Sequence, residues 1–168
     1  DDSMEKQEKT RVRVGDLVEM IAAGYRRRPD VACAIVVERQ TNAVISAIEH
    51  RLAQAVRNLL DNAVSFARGT IAVRVEKRKG EVVVSVLDDG PGVPAALQPN
   101  VYERFTRGDD SRYRSQVNGN GNGSTGLGLS FVKEIAELHR GRVTLKNRLG
   151  GGAVATLSLP RGAAPARP

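Results

Sequence analysis

Polar and apolar residues alternate over positions 10–14, then give way across Gly15-Asp16 to a helical spacing that puts Leu17, Val18, Ile21 and Ala22 on one face. The pattern predicts a short strand and an amphipathic helix ending near Arg28-Pro29, because the residue before a proline is driven out of the helical region. β-Branched and apolar residues over 31–37, and a shorter run over 43–45, predict two strands. Ser46, with Glu49 three residues on, has the form of a capping box for a long helix reaching Ala67. Leu52, Val56, Leu59, Leu60 and Ala63 turn one face of that helix inward. Alternation resumes over 70–77 and 82–87 as a hairpin turning at Lys79-Gly80. A short irregular helical stretch is expected over 95–105 and a longer helix over 125–140. A second hairpin, 142–146 with 153–159, turns at Gly150-Gly151-Gly152.

The chain has 168 residues, enough for one domain with a real core. With 40% hydrophobic residues, 4% aromatics and no Trp, that core is built from Val, Leu, Ile and Ala. Residues 1–9 read as a flexible lead-in or the end of a preceding element, 10–160 as the folded domain and 161–168 as a disordered tail. No apolar run approaches the ~20 residues of a membrane span, and no signal-peptide pattern opens the chain. The single cysteine, Cys33, has no internal partner for a disulfide, which suits a reducing, cytoplasmic setting. The formal charge of +7 raises the question of nucleic acid, but the Arg26-Arg27-Arg28 and Lys77-Arg78-Lys79 clusters lack the interleaved aromatics of a base-stacking platform. A solvated basic face, or one meeting an acidic partner domain, is expected instead; no contact with nucleic acid or membrane is.

Asn58 and Asn62 are one turn apart on a helix, although Asn is a poor helix former. Either they are two surface amides, or an amide oxygen completes an Mg²⁺ shell made mostly of phosphate and water. Phe66, four residues on, is either a core aromatic or a ring that stacks on a base. Asp88-x-Gly90-x-Gly92 follows an apolar strand and would serve as an ordinary turn. Its carboxylate can also accept from the exocyclic amine of adenine, with glycines letting the backbone pass close to base and sugar. Asp89 is expected to face solvent without a role. Gly126-Leu127-Gly128-Leu129 opens a helix, where free N–H groups and the helix dipole favour phosphate. The P-loop spacing is absent, and no βαβ unit surrounds these glycines as a dinucleotide site requires. Residues 107–124 are rich in Gly, Asn, Asp, Ser and Arg, and so long a stretch is either a functional lid or disordered.

In this order the four segments resemble the N, G1, F and G2 boxes of the ATP-binding catalytic domain of bacterial sensor histidine kinases, in the superfamily that also holds gyrase B, Hsp90 and MutL. The resemblance runs from about residue 12 to residue 160. It implies a two-layer α/β (α+β) sandwich of the Bergerat type, helices covering one face of a mixed sheet, with ATP between the helices under a mobile lid. It implies that Asn62 holds Mg²⁺, that Asn58 supports the phosphate and water network, and that Asp88 reads the adenine amine. Phe66, Gly90, Gly92 and Val93 would shape the base pocket, and Phe105 would centre the Phe box. Arg107 would reach the phosphates, and Thr125, Gly126, Leu127, Gly128 and Leu129 would present backbone to them. Asn58, Asn62 and Arg107 would then be the catalytic set.

Two positions separate branches of that superfamily. ATPases and serine-directed kinases have a Glu four residues before the metal Asn; Asn58 there cannot act as a general base near neutral pH. Ser65 stands where these kinases usually carry Lys or His, so phosphate charge must be met elsewhere, by Arg107 or Arg112. His50 lacks the acceptor's flanking residues and reads as surface, while His139, before Gly141 at a helix end, reads as structural. The resemblance therefore implies a phosphoacceptor histidine on a dimerisation domain outside this chain, a response regulator downstream, and a parent in the bacterial inner membrane. Alternatives are an ATP-binding regulatory pseudokinase module and, less in keeping with Asn58, a gyrase- or Hsp90-like ATPase.

Overall fold

Residues 8–92 and 126–161 are described by the computed structural model. Strand β1 (Thr10–Arg13) runs straight into helix α1 (Val14–Arg26), followed by β2 (Ala34–Arg39), β3 (Val44–Ala47) and helix α2 (Glu49–Phe66). Then come β4 (Thr70–Arg78), β5 (Glu81–Asp88), helix α3 (Gly126–Leu138), β6 (Arg142–Asn147) and β7 (Ala153–Pro160). Five strands form one mixed sheet in the order β2-β4-β5-β7-β6, parallel only between β2 and β4. β1 and β3 pair antiparallel as a separate ribbon. Arg161 ties ribbon to sheet: its N–H donates to the Gly80 carbonyl at 2.9 Å, and its carbonyl accepts from Ser46 N–H at 3.2 Å.

Alternation decides which face is covered. Ile71, Val73 and Val75 of β4, Val82, Val84 and Val86 of β5, and Leu157 and Leu159 of β7 are all buried, together with the inner faces of the three helices. The other face carries Arg74, Ser85 and Thr156 in cross-strand register, with Ser85 buried and the other two half-buried. Helices on one face of a mixed sheet give the two-layer α/β architecture expected from the sequence. Loss of a fully buried leucine such as Leu52 or Leu60 would cost about 2–5 kcal/mol.

Three expectations need correction. Ser46 is not a helix cap: it lies in β3, paired with Arg11, and α2 starts at Glu49 after Ile48, which makes no side-chain cap. β2 begins at Ala34 rather than 31, because its parallel partner β4 begins opposite it at Thr70. The helix after residue 125 ends at Leu138, short of Arg140, which has positive φ. The segments read as an irregular helix and as a lid, with Val93, Phe105, Arg107 and Thr125, lie outside the described residues.

Candidate functional site

Helix α2 supplies one wall of the site. Asn62 is buried at 8% exposure beside Leu59 and Ala63, whereas Asn58 is half-buried. Asn58 Nδ2 donates to the Gly128 carbonyl at 3.4 Å, so the amide face of α2 meets the first turn of α3. A side chain at Gly128 would meet nothing within 4 Å, which marks open space beside that turn. Ser65 turns its hydroxyl back onto the Asp61 carbonyl at 3.0 Å. Phe66 is half-buried and packs against the edge of the core. On the far side of α2, Tyr25 Oη bridges Asp61 Oδ1 at 2.6 Å and the Arg57 carbonyl at 2.9 Å, fixing the helix rotation. Burial and the Asp61 carboxylate push that phenol well above its ordinary pKa.

The floor is the end of β5. Asp88 is 5% exposed, and its Oδ1 accepts from Gly90 N–H at 2.8 Å. Burial pushes the carboxyl pKa up, opposed by the Gly90 and Ala153 N–H groups and by the Arg148 guanidinium. Gly90 lies so close to the Phe66 carbonyl that a Cβ there would collide with it. Gly92, at φ +81°, leaves no room either, since a Cβ would fall 2.7 Å from Asn147 Oδ1. Both glycines are therefore demanded by close backbone approach. Asn58 thus meets Gly128 where α2 approaches α3, and Phe66, Gly90 and Asp88 meet where the end of α2 approaches the end of β5.

Asp89, expected to face solvent without a role, is half-buried and holds the α2–β4 loop. Its carboxylate accepts from the N–H groups of Arg68 (2.7 Å), Gly69 (3.0 Å) and Thr70 (3.1 Å), which keeps its pKa below the usual carboxylate range. Arg148 was missed altogether: Nη1 donates to the Asp88 carbonyl at 2.8 Å from a tight turn in the β6–β7 hairpin. Sequence separation hides both partnerships, although a triple glycine beside a basic residue is a signal that a turn approaches other backbone.

At the opposite end of the α2–α3 pair, His139 is buried at 4% exposure. Its Nδ1 donates to the Ile135 carbonyl at 2.8 Å, which leaves Nε2 unprotonated to accept from Ile48 N–H at 3.0 Å. The imidazole thus serves as the missing cap of α2, and the structural role expected for it holds; His50 is exposed, as expected. Burial, with Lys9 nearby, pushes the His139 pKa below its ordinary 6.5. The unfolded chain then binds the proton more tightly, so stability is full above pH 6.5 and declines as pH falls through 6.5 toward the lower folded value. Thermal melts between pH 7.5 and 5 should fall more steeply for the parent than for His139→Gln, whose amide can make both bonds without titrating. Parallel curves would mean that the imidazole does not carry this acid limb.

Among the described residues no group of three or more His, Cys, Asp or Glu side chains could hold a metal ion. A single amide oxygen such as that of Asn62 would suit a hard cation whose shell is completed by phosphate and water. Among the described residues no helix is long and apolar enough to cross a membrane.

A family profile described as histidine kinase-, DNA gyrase B- and HSP90-like ATPase matches residues 47–163. The chain belongs to this family. It is 46% identical over 135 residues to the probable sensor histidine kinase TcrY of Mycobacterium tuberculosis, covering 79% of this chain and 27% of TcrY. The fold matches the catalytic domain of histidine kinase ThkA with a TM-score of 0.73 at 24% identity, over 92% of this chain and 96% of that one. It also matches full-length ShkA in complex with AMPPNP, with a TM-score of 0.74 at 26% identity, over 94% of this chain and 32% of ShkA. The chain thus spans about a quarter of the curated kinase TcrY and nearly all of the ThkA catalytic domain.

Proposed function

We propose that this domain binds Mg-ATP and transfers the γ-phosphoryl group to a histidine on a dimerisation domain of a two-component sensor kinase. The observation that carries the reading is the buried Asp88 carboxylate at the end of β5, bonded to the Gly90 N–H beside the C-terminal end of α2 at Phe66. A buried carboxylate kept at some cost suits a site whose ligand offers an N–H donor, as the adenine amine does. The AMPPNP bound by the relative ShkA is in keeping with that choice.

Asp88 would select adenine, with Phe66, Gly90, Gly92 and Val93 around the base. The open space at Gly128 leaves the first turn of α3 accessible, so the backbone N–H groups there would meet phosphate together with Thr125, Leu127 and Leu129. Asn62 would give its amide oxygen to magnesium, which supplies charge neutralisation and orientation of the phosphates. Asn58, already spanning α2 and α3, would order phosphate and water, and Arg107 would add positive charge. No group in this set abstracts a proton. None is needed when the acceptor is a neutral imidazole, whose lone pair forms the N–P bond as the β–γ bridging oxygen leaves with ADP. The partners are then a helix pair bearing the acceptor and a response regulator, with the domain in the cytoplasm and its parent in the inner membrane.

The test is the magnesium dependence of ATP binding. Asn62→Ala should fold, yet should lose most of the gain in affinity that Mg²⁺ gives the parent, about tenfold for one oxygen ligand. Equal stimulation of parent and variant by Mg²⁺ would remove Asn62 from the metal site.

A further inference from the structure

We propose that Arg148 is a positioning residue for base specificity: from the β6–β7 hairpin it holds the end of β5 so that the Asp88 carboxylate faces the purine. This rests on the reading of Asp88 as the base acceptor. The pairing of β5 with β7 stops at Leu87 opposite Val154, so the Asp88 carbonyl lies just beyond the β5–β7 register. Arg148 Nη1 supplies its hydrogen bond at 2.8 Å.

The arginine is itself anchored. Its N–H donates to the Gly152 carbonyl at 2.9 Å, and its carbonyl accepts from Gly151 N–H at 3.2 Å. Gly150, Gly151 and Gly152 all have positive φ (89°, 112° and 93°), a conformation that makes the turn tight. A Cβ on Gly152 would collide with the Asp88 carbonyl, so the turn lies directly against the strand end. The next residue, Ala153, gives its N–H to the Asp88 carboxylate. One hairpin therefore contacts both the main chain and the side chain of Asp88, while Asp89 ties the following peptide to the α2–β4 loop. Two charged groups bear on Asp88: Arg148 favours its ionised form and Asp89 opposes it, while the nearby Cys33 thiol is raised first by burial and then by Asp89 and Asp88. A guanidinium placed this way orients the acceptor and favours its ionised form against the burial that opposes it.

The experiment measures binding of ATP and of inosine triphosphate, which has a carbonyl in place of the adenine amine, to the whole chain from pH 8 to 5. Arg148→Ala should weaken ATP about tenfold and leave inosine triphosphate unchanged, the size of one lost charged hydrogen bond. The acid loss of ATP binding should also move to higher pH. Arg148→Lys, which keeps the charge but not the Nη1 geometry, should hold the acid limb in place and still narrow the ATP preference. A purely structural arginine would weaken both nucleotides alike; that result, or an unchanged preference with an unmoved acid limb, overturns the proposal. If Arg148→Ala does not fold, the preference measured in Arg148→Lys decides. Asp88→Ala separates the two claims. Loss of preference there with none in the Arg148 variants overturns positioning alone, whereas a preference that survives Asp88→Ala overturns the base-acceptor reading beneath it.

Discussion

Asp88→Ala is expected to weaken ATP binding by about ten- to a hundredfold while leaving GTP binding little changed, the range for one hydrogen bond to a buried charge. The carboxylate is acceptor-only when ionised, so it can pair with the amine at C6 of adenine but not with the carbonyl that guanine carries there. Truncation to Ala also removes the acceptor for the Gly90 and Ala153 N–H groups, and would therefore loosen the β5 end. Asp88→Asn isolates the chemistry. Its amide keeps the shape and one acceptor oxygen but can present N–H donors, which should turn the preference toward a base with a carbonyl at C6. Because burial raises the Asp88 pKa, the folded state holds this proton more tightly than the unfolded one. The parent therefore loses stability as pH rises through that raised value, and Asp88→Asn should lack the loss. Calorimetric titration with ATP and GTP, alongside melts of both proteins across pH, checks both. Equal affinities for the two nucleotides in the parent would sink the assignment.

What the sequence reveals here is what depends on near neighbours along the chain. The amide face of α2, the β4–β5 hairpin at Lys79-Gly80 and the glycine turn before β7 follow from period and turn chemistry, and the structure has all three. The start of α2 does not. Ser46 and Glu49 satisfy a local capping rule, but Ser46 is claimed by pairing with Arg11, and the Ile48 N–H finds its acceptor on His139, 91 residues away. Asp89 was misread for the same reason, since its three backbone donors lie about 20 residues upstream in a loop with no pattern of its own. Arg148 could not have been tied to Asp88, because only the β5–β7 register brings positions 60 apart together. Local rules thus name the residues proposed to meet a ligand, whereas the residues that hold them depend on tertiary pairing.

Incubated alone with labelled ATP, the chain is expected to acquire no stable phosphohistidine; with a cognate acceptor helix pair added, label should appear on that partner. The two histidines of the sequence are both described, and neither is placed to react. His139 is buried with Nδ1 and Nε2 both hydrogen-bonded, so it has no lone pair to offer without breaking the cap on α2. It also follows the last turn of α3, about 20 Å from the opening turn at 1.5 Å per residue. His50 is exposed but precedes Asn62 by twelve residues of one continuous helix, about 18 Å. In-line transfer requires a nitrogen at near-attack distance from the γ-phosphorus, and a rigid helix cannot close such gaps. On the proposed function the acceptor then comes from outside these two helices. Acid-labile label on His50 or His139 of the lone chain would refute this geometry. Label on neither the chain nor the added partner, with ATP binding intact, would point to a regulatory nucleotide-binding module. Substantial steady-state release of phosphate would revive the ATPase reading that Asn58 argues against.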